Sequence, residues 1–127
     1  MMEAREVSAW AGAGIDRRLG ERKKFRAPAL LRLPDRQVIE VRTFDISVGG
    51  IGVVTPMNLR QDVVCDIRVR PPILSEGMEV LLARGRIAHS ILSGKEKGFL
   101  IGLEFVEIAS SMREIIKQYV SIRHLSS

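Results

Sequence analysis

The sequence predicts an all-β fold with one helix: a six-stranded antiparallel β-barrel followed by a C-terminal amphipathic α-helix. Three observations lead there. From about Ala27 to Phe105 the chain breaks into short runs in which apolar and polar residues alternate, the period of a half-buried strand. Gly, Pro and Asp clusters separate these runs at short intervals, which favours antiparallel neighbours over crossover connections. Beyond residue 110 the apolar period changes to steps of three and four, the stripe of a helix packed on one side. Closing the strands into a barrel removes the exposed edges that so many short strands would otherwise present.

The elements follow in order. Residues 29–33 form the first strand and end at the turn signal Pro34-Asp35. In residues 38–44, Ile39, Val41 and Thr43 alternate with Glu40 and Arg42. Gly49-Gly50 breaks the pattern, and residues 50–55 form a third strand rich in Val and Ile. In residues 63–70, Cys65, Ile67 and Val69 face away from Asp66, Arg68 and Arg70, and Pro71-Pro72 ends the run because proline cannot donate to a ladder. Residues 80–91 alternate again, which puts His89 on the same face as Leu81, Ala83, Gly85 and Ile87. A polar loop over residues 93–98 leads to the last strand, residues 99–105. The helix is expected over 110–124, with Met112, Ile115, Ile116, Tyr119, Val120 and Arg123 on its stripe and Ser111 and Glu114 as a capping box.

A chain of 127 residues suits one domain, expected over 21–127, preceded by a flexible N-terminal arm over 1–20. Hydrophobic residues at 46% and charged residues at 28% describe a globular chain. The single cysteine, Cys65, excludes an intramolecular disulfide and a cysteine-ligated zinc site, and suits a reducing, cytoplasmic setting. It alternates with apolar neighbours and is expected in the core. No apolar run reaches the ~18–20 residues of a membrane span. No metal-ligand cluster, nucleophile–base pair or acidic dyad is visible, so an enzyme is not expected, and neither is a cofactor. His89 and His124 are read as surface or structural residues, Trp10 as packing on the barrel, and Arg84 and Arg86 as a solvated strand face.

Two clusters remain. Arg18, Arg22 and Arg26 are spaced by four, with Arg17, Lys23 and Lys24 between them. Guanidinium groups bind phosphate and the O6/N7 edge of guanine through paired donors, and they stack on base planes. The second cluster, residues 45–50, reads Asp-Ile-Ser-Val-Gly-Gly between two strands. The Asp45 carboxylate can accept from the N1–H and N2–H of a guanine, and Ser47 can donate and accept beside it. Gly49 and Gly50 permit close backbone approach. Taken singly, the first is an ordinary basic tail and the second an ordinary hairpin turn.

Together they are specific. An Arg-x-x-x-Arg at Arg22 and Arg26, about twenty residues of strand, then Asp-x-Ser-x-x-Gly from Asp45 to Gly50 resembles the paired signature of the PilZ family. The late strand from Gly98 to Phe105 is similar to that family's Gly-hydrophobic-x-Phe strand. The resemblance implies a six-stranded barrel with a C-terminal helix, and binding of the bacterial second messenger cyclic di-GMP. It implies that Arg22 and Arg26, helped by Arg18, contact phosphate and guanine. Asp45 and Ser47 would hold a guanine edge, and Gly49 and Gly50 would shape the turn. Ordering of the basic arm against the barrel would transmit binding to a protein partner, as in motility, pilus or exopolysaccharide machinery. Two other functions compete. A small barrel gripping single-stranded nucleic acid is weakened by an aromatic content of only 5%, too few stacking platforms. A ligand-independent adaptor of the same family is weakened by the intact motifs. The distribution of charge also favours a local grip. Residues 17–26 hold six basic residues and one acidic, the whole of the net +5, while the remainder is balanced.

Overall fold

The computed structural model describes residues 21–69 and 80–121. Among the described residues there are seven strands and one helix: β1 (Lys23–Lys24), β2 (Pro28–Arg32), β3 (Val38–Ile46), β4 (Gly50–Thr55), β5 (Val64–Val69), β6 (Leu81–Ser93), β7 (Gly98–Ile108) and α1 (Ser110–Ser121). All pairings are antiparallel, in the order β3-β2-β5-β6-β7-β4, and β4 pairs back onto β3 to close a six-stranded barrel. The two-residue β1 is additional; it extends the β2 edge of β3.

The inward residues fill the barrel. Leu31, Ile46, Ile51, Val53, Ile67, Val69, Leu81, Ile87 and Ile101 are each 2% exposed or less. The faces expected for residues 38–43 and 63–69 are observed: Ile39, Val41, Thr43, Cys65, Ile67 and Val69 are buried. In α1, Met112, Ile116 and Val120 are buried, one per turn, and join the same core as Phe25 and Val48. The helix therefore covers the barrel end that carries the β3–β4 turn. It starts two residues earlier than a cap at Ser111 requires, because the Ala109 carbonyl accepts from Met112 and Arg113 N–H. The expected capping box is thus displaced from its position.

Strict alternation fails at three places, where the register shifts between Thr43 and Asp45, between Arg84 and Gly85, and between Ile87 and His89. At each, two residues of one strand oppose one of its partner, which is a β-bulge. The extra residue is Phe44 on β3, Val106 on β7 and Ala88 on β6. The consequence for His89 is a change of face: it pairs with Gly102 while Ile87 pairs with Leu103, so it leaves the face of Leu81 and Ile87 on which strict alternation sets it. No helix among the described residues is long and apolar enough to cross a membrane. Trp10, Arg17, Arg18, Arg70 and His124 lie outside the described residues, as does the arm over 1–20.

Candidate ligand-binding site

The site grows from the register of β1 on β3. Lys24 lies opposite Asp45 and Lys23 opposite Ile46. One step further along, Arg22 comes opposite Ser47. Its Nη2 donates to Asp45 Oδ1 at 3.0 Å and its Nη1 to Ser47 Oγ at 3.3 Å. The Arg22 and Asp45 side chains are 25% and 22% exposed, so this charge-assisted pair is partly withdrawn from water.

The bulge at Phe44 makes this possible. Thr43 points into the core and is fully buried, so unbroken alternation would bury Asp45 as well. The extra residue turns Asp45 outward while Ile46 points in. There the carboxylate lies over Gly52: a Cβ on Gly52 would come within 2.5 Å of Asp45 Oδ1. Gly52 is thus a residue of the site that the sequence reading missed. Its only signal was a second glycine two positions beyond the motif.

Ser47 is 1% exposed and closes the turn. Its N–H donates to the Gly50 carbonyl at 2.8 Å, and its Oγ accepts from Gly50 N–H at 3.1 Å. Gly50 is required by close approach, since a Cβ there would stand 2.2 Å from the Leu103 carbonyl oxygen. The Gly49 carbonyl accepts from Phe105 N–H at 2.9 Å, tying the turn to β7. From α1, Arg113 Nη1 donates to the Val48 carbonyl at 3.1 Å.

Arg26 takes a different neighbour. Its guanidinium lies 4.9 Å from the Phe44 ring centroid and donates to Glu96 Oε1 at 3.2 Å from the β6–β7 loop. The neighbouring Arg42 also reaches Glu96, at 3.6 Å. Arg26, first among these neighbours, holds the Glu96 carboxyl below its ordinary range. The structure therefore joins Arg22, Asp45, Ser47 and Gly50 in one cluster and sets Arg26 beside it, across Phe44. Between the two arginines, Lys23 Nζ sits 4.2 Å from the Tyr119 ring centroid, and the Tyr119 hydroxyl donates to the Lys24 carbonyl at 2.8 Å. Residues 22–26 are thus seated on the barrel and α1.

The remaining expectations resolve simply. Arg84 pairs with Asp66 at 3.0 Å and Arg86 with Glu104 at 3.6 Å, so neither reaches the cluster. Cys65 is buried, and burial, helped by the neighbouring Asp66, pushes its thiol up to about 11. It has no part in the site. His89 lies within electrostatic reach of the cluster: desolvation lowers its pKa, Arg22 lowers it further and Asp45 acts in the opposite direction. Among the described residues no group of three or more His, Cys, Asp or Glu could hold a metal ion.

The fold and site define a class: a small antiparallel barrel whose basic N-terminal strand is held against an Asp-x-Ser-x-x-Gly turn. A family model described as the PilZ domain matches residues 16–121, and the chain belongs to that family. Solved structures agree on the fold. The Bacillus subtilis inhibitor of motility MotI/DgrA superposes with a TM-score of 0.73 at 20% identity, over 84% of this chain and 50% of that one. The PilZ domain of Escherichia coli YcgR with c-di-GMP gives 0.59 at 13%, over 83% and 89%. The Borreliella burgdorferi PlzA protein in complex with c-di-GMP gives 0.60 at 9%, over 98% and 58%. The chain thus spans half the length of the Bacillus subtilis protein. A sequence comparison with curated proteins gives no match.

Proposed function

We propose that this protein is a cyclic di-GMP receptor whose ligand site is the cluster of Arg22, Asp45, Ser47 and Gly50, with Arg26 beside it. The observation that carries this reading is the direct bonding of Arg22 to both Asp45 and Ser47, which brings together two motifs 23 residues apart. Their chemistry is complementary to the two halves of the ligand. Arginines supply paired donors for phosphate, and Asp45 supplies an acceptor for the guanine N1–H and N2–H. Proteins with this fold whose structures contain c-di-GMP support the receptor reading.

Binding is an exchange of partners. Each arginine is held by a carboxylate, Arg22 by Asp45 and Arg26 by Glu96. The ligand's phosphates replace those carboxylates around the guanidinium groups, and Asp45 is released to the base. Arg18, four residues before Arg22, joins from the preceding arm. The chain transmits this change to a protein partner, since both motifs touch α1, through Tyr119 on one side and Arg113 on the other. A cytoplasmic setting goes with that ligand.

Titration calorimetry of the full chain tests the reading. Wild type is expected to bind cyclic di-GMP, and Arg22→Ala and Asp45→Ala each to weaken binding about tenfold or more, as expected for a lost hydrogen bond to a charged group. A folded wild type that gives no heat at high micromolar ligand overturns it.

A further inference from the structure

Two of the three bulges, at Phe44 and Ala88, lie on strands that are not neighbours, yet they act on the same row of the barrel. Asp45 pairs with Gly52, Gly52 with Gly102, and Gly102 with His89. Directly opposed residues of antiparallel strands present their side chains to the same face. Asp45 and His89 therefore stand at the two ends of one outer row whose middle members have no side chain. Both lean inward over it. The Asp45 carboxylate lies above Gly52, and the His89 ring lies above Gly102, where a Cβ would come within 2.2 Å of Cε1 and 2.7 Å of both ring nitrogens.

Glycine in a strand interior weakens it and commonly marks a place where something approaches the backbone closely. A side chain re-aimed by a bulge toward a site is a recurrent arrangement. Here two bulges and two glycines serve one patch of surface, next to Arg22 and on the same row as the acceptor Asp45. We propose that His89 is a further ligand-binding residue: its imidazole ring, seated over Gly102 as the Asp45 carboxylate is seated over Gly52, is an aromatic wall for the guanine that Asp45 holds. This rests on the cyclic di-GMP reading above. An aromatic wall suits a purine because stacking uses the π-face of the base, while Asp45 supplies the hydrogen-bond readout. The neutral form of the ring is the one its surroundings favour, so it can sit beside Arg22 without like-charge repulsion.

The test is calorimetric titration of full-length variants with cyclic di-GMP, alongside thermal melts. His89→Ala is expected to weaken binding about fivefold or more, the scale of a lost base–aromatic contact, with little change in melting temperature. His89→Phe is expected to bind within about threefold of wild type, because it keeps the ring and drops the nitrogens. Gly102→Ala should weaken binding as His89→Ala does, since its methyl takes the space the ring occupies. In the His89→Ala background the same methyl should add no further loss. Binding by His89→Ala equal to wild type overturns the role of His89 and leaves the receptor reading intact. Equal losses in His89→Ala and His89→Phe overturn the aromatic wall, because the nitrogens then carry the effect. If His89→Ala fails to fold, Gly102→Ala decides alone: unweakened binding overturns the proposal. Absence of wild-type binding removes the receptor reading and this inference with it.

Discussion

A buried hydroxyl helps to fasten the basic segment to the barrel. Thr43 is fully buried at the point where β1 and β2 are interrupted along β3. Its Oγ1 accepts from Ala27 N–H at 2.8 Å and donates to the Phe25 carbonyl. These backbone groups lie between Arg22 and Pro28, where the ladder cannot satisfy them by regular pairing. An isosteric Thr43→Val keeps the volume and strands both groups away from water. The expected cost is about 1–3 kcal/mol, measurable by urea denaturation, whereas Thr43→Ser, which keeps the hydroxyl, should lose much less. Alternation reveals that Thr43 faces inward together with Ile39 and Val41. It does not reveal that the hydroxyl is needed there, because its partners are backbone groups 16 and 18 residues away.

At the level of elements, the strands were legible because one-sided burial leaves its mark on every second residue. β3 and β5 show their inner faces plainly in Ile39 and Val41, and in Cys65, Ile67 and Val69. The bulges were not legible. Phe44 and Ala88 are ordinary strand residues, and an extra residue in one strand is defined only by its partner. That is why alternation sets His89 on the face of Leu81 and Ile87, and why Gly102 carries no signal of its own. The meeting of Arg22 with Asp45 was legible only through the spacing of the paired motif, and the grip of Glu96 on Arg26 spans 70 residues with no local pattern to announce it. The helix was legible from its stripe, but its attachment to the basic segment was not. Tyr119 meets Phe25 edge-on at 6.0 Å between ring centroids, accepts Lys23 over its ring face and donates to the Lys24 carbonyl. Tyr119→Ala removes all three contacts. Amide exchange at Phe25, whose N–H donates to the Phe44 carbonyl, is expected to accelerate severalfold while that of the β5 and β6 amides stays near wild type. Uniform acceleration across the barrel would show that α1 supports the whole fold and not the segment in particular.

At the scale of the molecule, charge is arranged in pairs. The basic segment that carries the net +5 of the sequence is answered by Asp45 and Glu96, and on the opposite wall Asp66 lies between Arg32 and Arg84. Exposed pairs of this kind add little stability at neutral pH, but they shape its response to acid. Hydrogen bonds from Arg32 and Arg84 lower the Asp66 carboxyl, and one from Arg26 lowers Glu96. Carboxyls lowered in the fold contribute stability above the unfolded value, about 4, and lose it as pH falls through their folded values. His89 acts in a separate, higher window. Burial and Arg22 lower its pKa, with Asp45 opposing, so the unfolded chain takes up a proton first as pH falls through about 6.5. Stability therefore declines there, and the decline stops once the folded imidazole is also protonated. Thermal melts from pH 8 to pH 3 are expected to show two falls, the upper beginning near 6.5 and the lower beginning near 4. His89→Gln should remove the upper fall and keep the lower one. An upper fall that survives this substitution belongs to His124 or another group, and the electrostatic environment assigned to His89 is then wrong.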